Sequence, residues 1–139
     1  MILLLLYLPH WTYKKSGAVF LRDKPIVSNQ RKGGEELEQI ELIRAKPEDA
    51  ALVHALQLEA FWPLYQIYQD DETSPAKEST ERILEKITDP DGKFYIIYLD
   101  KQPIGGIRIR YYENGRKLEN VNWISPLFII PGFQNRGIA

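Results

Sequence analysis

The tightest constraint on how this chain can fold is the segment Pro126-Leu127-Phe128-Ile129-Ile130-Pro131-Gly132-Phe133-Gln134-Asn135-Arg136-Gly137-Ile138-Ala139. Leu127 to Ile130 is an unbroken apolar run suited to a strand, and Gln134, Arg136 and Gly137 follow Pro131 in a short turn. Pro126 has no N–H for a ladder, so this strand is not expected to be a fully paired central one. A Gly-bearing turn directly after a strand presents main-chain N–H groups together, an arrangement that holds phosphate. Gly137 allows close approach because no Cβ stands in the way. The plainer alternative is a hydrophobic strand ending in a polar surface turn.

The rest of the composition narrows the function classes. At 139 residues and 44% hydrophobic content the chain can build one domain's core. Its charges nearly cancel at a formal −1, which leaves no basic footprint for nucleic acid. The absence of cysteine rules out disulfides, a thiolate nucleophile and Cys-based zinc sites. His10 and His54 have no companions at metal-ligand spacing, so no metal is expected. The apolar run Met1–Leu8 stops at Pro9, short of the roughly 20 residues that span a bilayer. Lys14 and Lys15 follow that run instead of preceding it, the wrong order for a signal peptide. A cytoplasmic protein without membrane attachment is expected. Residues 28–39 are polar and contain Gly33-Gly34, so residues 1–39 read as an N-terminal extension or linker and residues 40–139 as the domain.

Within 40–139 the pattern predicts a strand over Ile40–Ala45 and a helix opening at Lys46-Pro47-Glu48-Asp49, with Pro in its first turn. Leu52, Val53, Leu56 and Ala60 recur at helical spacing as its buried face. Pro63 is expected to end or bend it. Ser74-Pro75 predicts the start of a second helix, with Ile83, Leu84 and Ile87 inward and a Glu78–Arg82 pair outward. After the turn Asp89-Pro90-Asp91-Gly92 come strands over 94–99 and 104–112, joined by Asp100-Lys101-Gln102-Pro103. Ile107, Ile109 and Tyr111 alternate there with Arg108, Arg110 and Tyr112, which places the arginines on the solvated side. Asn114-Gly115 turns the chain towards a last strand ending at Ile130.

This order, with Gln134-x-x-Gly137-x-Ala139 after a strand and a Pro, resembles the GCN5-related N-acetyltransferases, the GNAT family. Leu42–Ala50 looks like the family's opening strand and first helix. Phe94–Gly106 is similar to its second and third strands, and Leu127–Ala139 to its fourth strand and pyrophosphate loop. The resemblance implies an α+β acyl-CoA N-acyltransferase fold: a mostly antiparallel sheet with two helices after the first strand. It implies an enzyme that moves an acetyl group from acetyl-CoA to a primary amine on a small-molecule or peptide acceptor. The main chain of Leu127, Phe128 and Ile129 would hold the pantetheine arm and the reacting carbonyl. Gln134, Asn135, Arg136, Gly137, Ile138 and Ala139 would hold the pyrophosphate, and Trp62 and Tyr65 would contribute to the acceptor pocket. The bland reading of those two aromatics, as of Phe61 and Tyr68, is core, and core is favoured for Phe61.

The resemblance leaves the catalytic residues unassigned. The family's fourth-strand Glu falls near Ser125 or Pro126, neither of which is a carboxylate, and Glu119 is a poor substitute at the strand's start. None of the tyrosines matches the family's thiolate-protonating Tyr. The resemblance also implies that the sequence stops at the cofactor loop. These residues alone would then bind the cofactor weakly, turn over nothing at a useful rate and tend to self-associate. A non-catalytic acyl-CoA-binding or protein-interaction module on the same fold is the rival expectation.

Overall fold

The computed structural model of the chain describes residues 26–32, 36–113, 116–117 and 122–139. Its element order is β1 (Ile26–Lys32), β2 (Glu36–Arg44), α1 (Ala50–Tyr68), α2 (Thr80–Thr88), β3 (Gly92–Leu99), β4 (Gln102–Arg110), β5 (Tyr112–Glu113), β6 (Arg116–Lys117) and β7 (Trp123–Ile129). Five strands form one antiparallel sheet in the order β1-β2-β3-β4-β7, while β5 and β6 pair separately. Both helices pack on the sheet, α2 against β3 and α1 against β4 and β7. The architecture is the expected α+β class.

The expected linker over 28–39 is replaced, where described, by strand. Residues 26–32 pair with 36–42 in register, so the sheet starts before Ile40. Polar composition hid this, because an edge strand need not carry the apolar runs of a central one. Deleting residues 1–39 therefore removes β1 together with Glu36 to Gln39 of β2, and uncovers the edge of what remains of β2. The thermal midpoint should fall by more than about 4 °C; an unchanged midpoint would mean that β1 adds nothing to the fold. The Met1–Leu8 run and the Asn114-Gly115 turn lie outside the described residues.

The core is built where apolar spacing from the helices meets the sheet. Val53, Ile83, Phe94, Ile96 and Ile104 are essentially inaccessible to water. The β3–β4 hairpin closes on Asp100 and Lys101 alone, with φ of +47° and +68°, and Leu99 pairs directly with Gln102. That is the left-handed pair a two-residue hairpin needs, so Gln102 and Pro103 are strand and not loop.

Both helices differ from expectation in instructive ways. Pro63 does not end α1, which continues to Tyr68. Pro63 has no N–H for the carbonyl of Glu59, but both residues are exposed, so water can serve that carbonyl. The helix ends instead at Gln69, left-handed at φ +49°, whose N–H donates to the Tyr65 carbonyl at 2.7 Å. Ser74-Pro75 opens only a 3-10 turn, with the Ala76 N–H donating to Ser74 Oγ at 3.3 Å. The cap of α2 is Ser79, whose Oγ accepts from the Arg82 N–H at 3.2 Å.

Because Glu78 precedes that cap, it is not on the helix and does not pair with Arg82, which bonds Glu85 at 2.6 Å. Glu78 instead accepts from Lys86 and from Gln57 Nε2, the latter at 2.8 Å. Gln57 is fully buried and also donates to the Pro75 carbonyl at 2.8 Å, tying α1 to the approach of α2. Burial holds the Lys86 pKa below its usual value, against the opposing pull of Glu78.

The arginine expectation also changes. Arg108 shares the helix-covered face with Gly106 and bonds Asp89, just past α2, so only 11% of its side chain is exposed. The helix end delivers the carboxylate that lets this cation sit under it.

Candidate active site

The site lies where α1 crosses β7. Gly105 and Gly106 of β4 pair with Ile129 and Phe128. A Cβ on Gly105 would stand 2.1 Å from the Phe128 carbonyl oxygen, and one on Gly106 would stand 2.7 Å from the Phe128 ring. The two glycines therefore let β7 close on β4 with the Phe128 ring lying over the strand. That ring meets Phe61 of α1 with centroids 5.8 Å apart, tilted by 60°.

Upstream, the ladder is interrupted. Ile107 pairs with Leu127 and Ile109 with Ile124, so Ser125 and Pro126 together oppose Arg108. This is a bulge at the residue that cannot donate to a ladder, and the Ser125–Pro126 peptide is cis. Below the bulge, the Ile130 N–H donates to the Ile104 carbonyl at 2.8 Å. Strand alternation then turns the main-chain groups of Phe128 towards β4 as well, and those of Leu127 and Ile129 towards the opposite edge. Among the described residues no strand pairs with that edge.

The chain then enters a 3-10 turn at Pro131–Phe133 and a loop with two left-handed residues, Asn135 at φ +62° and Gly137 at φ +71°. Left-handed residues near one another curve successive N–H groups inwards into a nest suited to an anion. Gln134 has a different task from the one expected. Its N–H donates to the Pro131 carbonyl at 3.3 Å, and its Nε2 donates to the open-edge carbonyl of Ile129 at 2.8 Å. Gln134 thus braces the loop against the strand. The Arg136 guanidinium lies 5.1 Å over the Phe133 ring and 4.0 Å from Glu38, partly exposed at the rim.

Strand edge, loop and helix border an open cavity of about 520 Å³, lined by Ala60 and Phe61 of α1, by Leu127, Phe128 and Ile129 of β7, and by Phe133, Gln134, Asn135, Gly137, Ile138 and Ala139 of the turn and loop. All the residues expected at the cofactor except Arg136 thus meet around one space. No lining side chain is titratable. An elongated ligand with an anionic end at the loop and amide groups along the strand edge would suit this shape.

Trp62, directly after Phe61, and Tyr65, a turn further along α1, do not line this cavity. Trp62 is 44% exposed and packs on Tyr65 with ring centroids 5.2 Å apart. The Tyr65 hydroxyl donates to Asp71 at 2.6 Å, and Lys77 sits 5.2 Å over its ring. The bond to Asp71 is the main reason its pKa is raised. Asp70 accepts from the N–H groups of Glu72 and Thr73 at 3.0 and 2.9 Å and closes the turn after α1. Among the described residues no cluster of three potential metal ligands occurs, and no helix is long and apolar enough to cross a membrane. Glu119 and His10 lie outside the described residues, and His54 is half-buried on α1.

Phe61 has a second role that sequence reasoning did not show. It packs against the core, as expected, yet it also forms the helix wall of the cavity. Apolar spacing finds its inward face but cannot tell a core neighbour from a cavity wall.

Comparison with known proteins agrees with this geometry. The fold superposes on an acetyltransferase from Thermus thermophilus with a TM-score of 0.53 at 20% identity, covering 71% of this chain and 61% of that one. It also superposes on the PaiA N-acetyltransferase from Thermoplasma acidophilum in complex with coenzyme A, with a TM-score of 0.55 at 20% identity, covering 71% and 64%. The chain therefore spans less than two thirds of the length of either structure. A search of curated proteins gave no match. Residues 61–139, more than half of the chain and including the whole cavity wall from β7 onward, match the acetyltransferase (GNAT) family model, and the chain belongs to that family.

Proposed function

We propose that this chain binds acetyl-CoA and belongs to an N-acetyltransferase that acylates a primary amine on a small-molecule or peptide acceptor. The observation that carries the reading is one continuous cavity joining the open edge of β7 to the left-handed loop at Asn135–Gly137. The pantetheine arm adds to the edge at Leu127 and Ile129 as a short pseudo-strand, and the pyrophosphate sits on the N–H groups of Asn135 to Ala139. The N–H of Leu127, on the same open edge and farther from the loop than Ile129, faces the thioester carbonyl and stabilises its developing negative charge. Trp62 and Tyr65 follow Phe61 on the same helix and contribute to the acceptor side.

The acceptor ammonium must lose a proton before attack, and no residue lining the cavity can take it. Residues 1–139 alone are therefore expected to turn over slowly, and the edge of β7, which no strand pairs among the described residues, favours self-association. The same absence favours a second reading, a non-catalytic acyl-CoA-binding module.

Thiol release from acetyl-CoA in the presence of a panel of primary amines separates the two. Amine-dependent release supports the transferase. Binding of acetyl-CoA with no release from any amine supports the module, and failure to bind at millimolar acetyl-CoA contradicts both.

A further inference from the structure

Strand β4 carries a cluster of cations that the cofactor site does not use. Arg108 and Arg110 alternate onto the face that Gly106 and Phe128 share. The Arg110 stem lies across buried Gly92, where an added Cβ would stand 3.2 Å from its Cγ. The other cations of the cluster each have a carboxylate: Arg108 bonds Asp89, Lys86 bonds Glu78 and Arg82 bonds Glu85. Arg110 is half-buried and has no ion pair among the described residues, and its Nε, like that of Arg108, is buried without an acceptor. Burial holds the Arg108 pKa below its usual value against the pull of Asp89, and the charge of Arg110 adds to the depression. Two half-buried guanidinium groups beside a single carboxylate lack one negative charge.

The ladder register fixes where that charge would sit. Leu127, whose N–H faces the thioester carbonyl in the function proposed above, pairs with Ile107. Arg110 lies three residues further along β4, about 10 Å from that pair, on the side away from the Asn135–Gly137 loop. Its ladder partner Trp123 and the bulge residue Ser125 are exposed, so solvent reaches this end of the strands. We propose that Arg110, with Arg108 beside it, binds a carboxylate or phosphate group of the acceptor, so that the acceptor is an anionic amine and not a simple alkylamine. A guanidinium presents paired N–H donors that fit either group. That the arginines bind an anion stands on their own geometry; that the anion belongs to the acceptor rests on the acyl-CoA reading of the cavity.

The test follows the Nε–H signals of Arg108 and Arg110, with the backbone amides, by NMR of residues 1–139. O-phosphoethanolamine and β-alanine supply an amine with a phosphate or a carboxylate, and ethanolamine supplies the amine alone. At least one of the anionic amines should shift both Nε–H signals saturably and bind about tenfold more tightly than ethanolamine, and the tighter of the two identifies the anion. Arg110→Gln should abolish that preference and Arg110→Lys should keep part of it, with CoA binding unchanged in both. Ethanolamine binding as tightly as both anionic amines would overturn the inference, as would a preference that survives in Arg110→Gln. Should Arg110→Gln not fold, an undiminished preference in Arg110→Lys would overturn it instead. Shifts confined to the amides of Asn135 to Gly137, competed away by CoA, would place the anion in the loop and overturn it too. Failure of CoA to bind, with the Nε–H shifts intact, would overturn the acyl-CoA reading and the acceptor assignment while the anion site stands.

Discussion

Replacing Gly105 by Ala should destabilise the fold by at least about 3 kcal/mol, enough to leave much of a marginally stable chain unfolded at 25 °C. The added methyl would stand 2.1 Å from the carbonyl oxygen of Phe128, a backbone atom that cannot rotate away. Strand β7 would have to move off β4, and the Ile130 N–H bond to Ile104 would go with it. Gly106→Ala should cost less. The obstruction there is the edge of the Phe128 ring at 2.7 Å, which can shift at the expense of its contact with Phe61. Urea denaturation of both variants checks the order. A Gly105→Ala protein as stable as the wild type would mean that β7 does not lie against β4 as described.

The second large effect belongs to the loop. Gly137→Val should weaken CoA binding by at least about tenfold. Nothing lies within 4 Å of the position a Cβ would take, so the fold does not exclude a side chain there by contact. The penalty comes from φ of +71°, where a β-branched residue is strained by about 1–2 kcal/mol, and from a side chain standing where the phosphate must approach. The loop would relax to negative φ and its N–H groups would diverge. Arg136→Ala should weaken binding by no more than about fivefold, since its side chain is partly exposed and solvent-screened. Isothermal titration with CoA compares the two. Equal, negligible effects would remove this loop from the cofactor site.

Much of this was legible in the sequence, for reasons specific to each element. Strands β3 and β4 declared themselves between strong turns, β3 as the continuous apolar run Phe94–Leu99 and β4 by the alternation of Ile107 and Ile109 with Arg108 and Arg110. The segment from Leu127 to Ala139 was legible because a Pro in the strand and a Gly in the turn have few other uses. The start of α2 was not. Ser74-Pro75 and Ser79 are both sound caps, and what selects Ser79 is tertiary: Glu78 is drawn to Gln57 and Lys86 and cannot also be helical. Pro63 misled because its cost depends on whether the orphaned carbonyl reaches water, which spacing does not reveal. Strand β1 was hidden by polar composition, and the role of Gln134 by its chemistry. An amide side chain that braces a strand edge looks in sequence like one that faces a ligand.

The central claim is that the open edge of β7 and the loop after it form one acyl-CoA site, and amide NMR tests it most directly. The spectrum of residues 1–139 is followed as CoA is added to millimolar concentration, so that even weak binding registers. The account predicts saturable shifts concentrated at the amides of Leu127, Ile129, Asn135, Arg136 and Gly137, with Phe61 affected across the cavity and the β1–β2 edge unmoved. Shifts confined to β1 and β2, or none at any of these amides at saturating CoA, would contradict it.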